Sequence, residues 1–218
     1  MTWIFVWDTN PSKIYVGDTA ISKVFVSDTQ VRPTWWLPSA YQEVEYIQSS
    51  WTQWIDTWVT ATTSTKAEIK LNSQYIAESA IFWARWALDG YFLMFYNNRI
   101  RWHWASAVDV ACSTNTDYTI ETENGKVTVN GTSYTCTASS AILTWYNLGL
   151  FATWNQGSAY TRGRFKLYYF KIWDWTTLQR DFISCYRKSD SVIGLYDLVT
   201  NTFFTNSWTW TFTKWWDV

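Results

Sequence analysis

Apolar and polar positions alternate with period two along most of residues 40–218, the pattern of strands with one face on a core. Val44 and Tyr46 alternate with Glu43 and Glu45. Asn124-Gly125 and Asn130-Gly131 are two-residue hairpin signals between β-prone runs. They predict a meander of Tyr118–Glu123, Lys126–Val129 and Thr132–Thr137. Asn97-Asn98 predicts a second hairpin, of Tyr91–Tyr96 and Arg99–Trp104. Phe165–Trp173, Leu178–Ile183 and Val192–Leu198 read as further strands. Only Gln74–Leu88 has apolar spacing mixed enough to admit a helix. Many short strands with regular turn signals predict an all-β, antiparallel two-sheet sandwich or jelly roll.

The first residues follow another rule. Residues 4–33 hold three ten-residue copies, IFVWDTNPSK, IYVGDTAISK and VFVSDTQVRP. Each opens on an apolar triplet containing Phe5, Tyr15 or Phe25 and turns at Asp8, Asp18 or Asp28. Asp favours turns because its carboxylate accepts from nearby backbone N–H groups. Each copy therefore reads as strand, turn, short strand, too small to hold a core without stacking or a partner. Stacked copies could align the three carboxylates into a cation site, but turn formation accounts for them. A linker with Pro33 and Pro38 follows. The predicted organisation is an N-terminal β-repeat arm over 1–36 and a sandwich over 37–218.

Charge and cysteine usage narrow the function classes. Seventeen Lys and Arg oppose 18 Asp and Glu, with no basic stripe, so nucleic acid is not an expected partner. The start has no positive region ahead of an apolar core, and no stretch approaches the length of a membrane span. Cys112, Cys136 and Cys185 are odd in number and widely spaced, which argues against a disulfide framework and a zinc site. They read as buried thiols of a chain folded in reducing cytosol, and no cofactor or metal is expected.

Two stretches carry a resemblance. One is Leu37-Pro38-Ser39-Ala40-Tyr41-Gln42-Glu43-Val44-Glu45-Tyr46-Ile47-Gln48-Ser49-Ser50, with Thr52-Gln53-Trp54-Ile55-Asp56-Thr57 after it. The other is Arg180-Asp181-Phe182-Ile183-Ser184-Cys185-Tyr186-Arg187-Lys188-Ser189-Asp190, followed by Val192-Ile193-Gly194-Leu195-Tyr196-Asp197-Leu198. Over roughly residues 37–214 the chain resembles phage and prophage structural proteins with a laminin-G-like, concanavalin A-like jelly-roll domain. The arm resembles short repeat arrays of phage tail and capsid-associated proteins. The resemblance implies a virion protein folded in the host cytoplasm, with other virion proteins and host surface glycans as partners, and a homo-oligomer.

The departures from that family concern glycine. The chain has 19 Trp and only 8 Gly, whereas average usage of roughly 7% would give about 15 glycines. The family pattern has Gly where this chain has Trp51, Trp58, Trp83, Trp175, Trp208, Trp210 and Trp215. Within the arm, Trp7 aligns with Gly17 and Ser27. These eight tryptophans fit glycines of a host that reads UGA as glycine, written out with a table that reads UGA as tryptophan. A side chain forced to positive φ costs roughly 1–2 kcal/mol, so eight would cost on the order of 8–16 kcal/mol. That equals the whole stability of a domain, about 5–15 kcal/mol. The competing reading keeps the tryptophans as a sugar-stacking surface.

Candidate sites follow from side-chain alternation. Arg99, Arg101 and His103 fall on one strand face, opposite Ile100, Trp102 and Trp104, and are the candidate glycan-binding residues. The bland alternative is a solvated face over a buried one. His103 is the only histidine, and no G-x-S-x-G elbow accompanies it. Glu43 with Glu45, and Glu121 with Glu123, are the carboxylate pairs a glycosidase would need. The first lacks the spacing of lectin-fold glucanases and the second precedes a turn, so the chain is expected not to be an enzyme. The expected function is a tail-, fibre- or capsid-decoration-associated virion protein, attached through its arm and presenting a lectin-like domain. A lectin-fold glycan hydrolase and a purely architectural protein are the alternatives.

Overall fold

The computed structural model describes residues 14–16, 19–21, 24–26, 29–31, 37–86, 89–102, 108–138, 147–155 and 158–218. Its strands begin with β1 (Ile14–Val16), β2 (Thr19–Ile21), β3 (Val24–Val26), β4 (Thr29–Val31), β5 (Tyr41–Glu43), β6 (Ile47–Gln48), β7 (Ile55–Thr60) and β8 (Thr65–Ser73). They continue with β9 (Glu78–Trp86), β10 (Asp89–Tyr96), β11 (Arg99–Trp102), β12 (Val108–Ala111), β13 (Asp117–Glu123), β14 (Lys126–Val129), β15 (Thr132–Thr135) and β16 (Asn147–Leu150). The last are β17 (Ala152–Asn155), β18 (Ser158–Arg162), β19 (Phe165–Asp174), β20 (Thr177–Arg187), β21 (Val192–Asp197), β22 (Thr202–Thr205) and β23 (Thr213–Lys214).

Two large sheets form the sandwich. One has the order β12-β11-β10-β9-β16-β7, with β17 and β18 attached. The other runs β15-β14-β13-β8-β19-β20-β21-β22, with β5, β6 and β23 at its side. Apart from one parallel contact between Asn155 and Arg85, the described pairings are antiparallel. The all-β antiparallel sandwich predicted from alternation is the observed fold.

Aromatic rings join the two layers. Phe82 on β9 stacks on Phe170 of β19 at 5.4 Å, and Phe170 meets Phe182 of β20 at 6.2 Å. Phe151 and Phe165 stack at 4.3 Å. Burying such rings is the main favourable term in the fold. A smaller cluster lies on the other face of β20 and β21, where Leu37 and Tyr41 pack with Ile183, Cys185 and Tyr196.

Turn chemistry matches the sequence closely. Asn97 and Asn98 both have positive φ (49° and 60°), as a type I′ turn requires, and close Tyr96 onto Arg99. Asn130 and Gly131 do the same between Val129 and Thr132. The second and third arm copies form the two-stranded antiparallel hairpins β1–β2 and β3–β4, which carry Tyr15 and Phe25 on their first strands. The first copy, with Asp8, and the turn residues Asp18 and Asp28 lie outside the described residues, as do His103 and Trp104.

Within the segment that admitted a helix, Glu78–Trp86 form strand β9, and its alternation is hidden because Ala80–Ala84 are buried on both faces. One expectation changes. Of the three thiols, all free, only Cys185 is fully buried, while Cys112 and Cys136 are half-buried at the sheet margin.

Candidate functional site

On β11 the predicted alternation holds: Ile100 and Trp102 are fully buried, and Arg99 and Arg101 point away from them. Arg101, however, is occupied. Its Nε and Nη2 donate to the two carboxylate oxygens of Asp109 at 2.7 Å each, and its guanidinium lies 4.5 Å from the Tyr96 ring centre. The hydrogen bonds from Arg101 hold the Asp109 carboxyl below the usual carboxylate range. A bidentate pair of this kind satisfies both partners, while Arg99 on the same strand face is exposed.

A more concave site lies on the outer face of the larger sheet. Residues of β8, β13, β14 and the end of β19 enclose a hollow of about 440 Å³. Strand register explains the grouping. Trp173 stands opposite Lys66, Glu68 opposite Glu121, Glu121 opposite Thr128, and Glu123 opposite Lys126. All of these are on the face opposite the core, because their strand neighbours Ala67, Ile120, Thr122, Val127 and Ile172 point inward. The β19–β20 hairpin loop, Trp175 and Thr176, forms one rim. It is tied down where the Trp175 N–H donates to the Ser64 carbonyl at 3.1 Å and the Ser64 hydroxyl donates to Asp174.

Charge inside the hollow is patterned. Lys66 and Lys126 both reach Glu123, at 3.1 and 3.2 Å. The hydrogen bond from Lys66 is the larger cause that lowers the Glu123 carboxyl below its ordinary range. Tyr169 donates its hydroxyl to Glu68 at 2.7 Å. Glu68 and Glu121 remain directly opposed across the β8–β13 ladder, and like charges in that relation destabilise a sheet. A ligand rich in hydroxyl donors would relieve the opposition, while the indole of Trp173 offers a flat apolar wall. That combination, an aromatic face beside hydrogen-bonding carboxylates and ammonium groups, suits a sugar ring, which has one apolar and one hydroxylated aspect. Among the described residues no three His, Cys, Asp or Glu side chains are grouped so as to hold a metal ion.

The sequence held part of this site. Glu121 and Glu123 stood out as a carboxylate pair, but Lys66, Glu68 and Trp173 reach them only through pairing of distant strands. Glu43, of the other pair, pairs with Cys185 across β5 and β20, far in register from the hollow.

No family model matches the chain, and no curated protein does. Solved structures do. A protein from Bacteroides ovatus described as carbohydrate binding superposes with a TM-score of 0.57 at 12% identity, over 79% of this chain and 60% of its own length. Domains LG4-5 of the mouse laminin α1 chain align with a TM-score of 0.41 at 9% identity, over 66% of this chain and 44% of that one. The first likeness shows a shared sandwich fold. The chain spans about 60% of that protein's length.

Proposed function

We propose that this chain is a non-enzymatic virion protein of a bacteriophage, attached through its repeat arm and binding a host surface glycan in the Trp173 hollow. The observation that carries the binding half is the register that places Trp173 beside Lys66 and the Glu68–Glu121 pair on an outward sheet face. The fold shared with a protein described as carbohydrate binding supports it. The phage half is supported by the resemblance of residues 37–214 and by the arm of three ten-residue repeats. In the same reading several tryptophans stand for glycines of a host with a reassigned UGA codon. Copies displayed together gain avidity, so weak single-site affinity suffices.

A glycan array probed with the purified chain tests the binding half. Specific signal that falls with Trp173→Ala supports it, and a blank array favours an architectural role. The opposed carboxylates Glu68 and Glu121 are the one observation that favours a glycan hydrolase. New reducing ends released from host polysaccharide, and lost in Glu121→Gln, would establish that reading instead. Immunogold labelling of particles with an antibody to the sandwich tests the phage half, and unlabelled virions would overturn it.

A further inference from the structure

We infer that positions 51, 58, 175 and 210 belong to glycine in the protein as its own host makes it, which leaves Trp173 as the aromatic wall of the hollow. The second clause rests on the binding reading above, and the first stands without it. Trp51, Trp58, Trp175 and Trp210 have φ of 94°, 57°, 54° and 69°. That region is open to glycine and tolerated by asparagine, but a bulky side chain there clashes with its own backbone. Among the described non-glycine residues with positive φ, five are asparagines, and four of the remaining six are these tryptophans. The two others differ. Ser191 is a small residue, and Phe151 is a buried ring packed on Phe165.

The φ of Trp51 exceeds even the 85° and 82° of Gly125 and Gly131. At Trp58, Trp175 and Trp210 the local structure also explains the demand. Trp58 sits where the β7–β16 register slips, and its N–H donates to Asp56 at 2.8 Å; a glycine in left-handed conformation is the usual device of such a bulge. Trp175 opens the two-residue loop between Asp174 and Thr177, with positive φ at the first loop position, which glycine takes in a II′ hairpin. Trp210 ends a loop gathered by Asn206, whose Nδ2 donates to the carbonyls of Trp208, Thr209 and Trp210.

Three of the four indoles also gain little from burial: Trp58, Trp175 and Trp210 are 61%, 74% and 77% exposed. Trp51 is half-buried against the Tyr75 ring. Trp83 is the opposite case. It is buried, lies outside the left-handed region and stacks on Phe92 at 4.3 Å, so a glycine there would open a cavity. Trp173 likewise lies in strand conformation. The inference therefore covers the four left-handed positions and not the tryptophans in general.

The gene and the folded chain test it separately. The codons for 51, 58, 175 and 210 should be UGA and those for Trp102 and Trp173 UGG; UGG at the four positions would overturn the inference. Trp→Gly at each of the four should raise the melting temperature, by roughly 2–4 °C per site. Trp102→Phe, in the core, should lower it. A fall at all four sites would overturn the inference even if the codons were ambiguous. Trp173→Ala should abolish glycan retention. Retention that survives Trp173→Ala but is lost in Trp175→Gly would return the wall to Trp175 and overturn the second clause. If no glycan is retained even by the parent chain, the binding reading fails while the glycine assignment still stands on codons and melting temperatures.

Discussion

The Tyr91 hydroxyl and the Thr122 hydroxyl share a hydrogen bond of 2.8 Å across the centre of the sandwich, joining β10 of one sheet to β13 of the other. Both residues are buried, and burial pushes the Tyr91 phenol well above the ordinary tyrosine range. The bond fixes how one sheet sits over the other, which ring stacking does with less directional force. Tyr91→Phe should cost about 1–2 kcal/mol, because it leaves the Thr122 hydroxyl with only a 3.5 Å contact to the Ala67 carbonyl. Pairing it with Thr122→Val should recover part of the loss. Urea unfolding of the two single variants and the double variant measures this, and strict additivity would refute the coupling.

That bridge shows where sequence reading succeeds and where it stops. Alternation placed Tyr91 and Thr122 in strands, and Asn-Gly and Asn-Asn turns fixed the neighbouring hairpins. Nothing local says that residues 31 apart face each other across two layers. Strand β9 escaped for a different reason: buried on both faces, it loses the period of two. Strand β8 escaped because its outward positions are Lys66, Glu68, Lys70 and Asn72, residues of low strand propensity. The hollow depends on β8, so it was legible only as the isolated pair Glu121 and Glu123. The glycine-like tryptophans were the reverse case. The family resemblance marked seven and the repeat alignment an eighth, and backbone geometry supports four of them.

Asp197 anchors the β21–β22 turn. Its carboxylate is fully buried and accepts from the Asp181 N–H at 2.8 Å, the Thr200 hydroxyl at 2.6 Å and the N–H groups of Val199 and Thr200 at 3.2 Å. Arg180 stands 3.6 Å away as counter-ion. Asp197→Ala should destabilise the chain by about 3 kcal/mol, since it orphans several donors and an arginine at once. Asp197→Asn should fall between, because an amide keeps one acceptor. Chemical denaturation checks the order, and an alanine variant as stable as the parent would refute the anchoring role.

The Arg101–Asp109 pair makes stability depend on pH in a stated direction. Asp109 titrates near 3.9 in an unfolded chain, and its folded value is lowered by the Arg101 hydrogen bonds. The folded state therefore binds fewer protons, and the pair's contribution is present above about pH 4 and lost as the pH falls through the lower folded value. With the pair partly open to solvent, that contribution is below about 1 kcal/mol. The melting-temperature gap between the parent chain and Asp109→Asn should be constant from about pH 7 to 5 and close towards pH 2. A gap that widens on acidification would contradict the assignment.

Binding at the hollow should separate stacking from hydrogen bonding. Trp173→Ala removes the apolar wall, and a loss of about tenfold or more in affinity, some 1.4 kcal/mol, is expected for any sugar the hollow holds. Lys66→Ala acts through two routes. It removes a donor, and it leaves Glu123 with Lys126 alone, so that the Glu123 carboxyl rises towards its ordinary range. Binding by this variant should then weaken at a higher pH than binding by the parent chain, as Glu123 protonates earlier on acidification. Trp173→Ala should show no such displacement. Calorimetric titration of the three chains between about pH 4 and 7 distinguishes these patterns, and identical pH profiles for parent and Lys66→Ala would remove Glu123 from the binding surface.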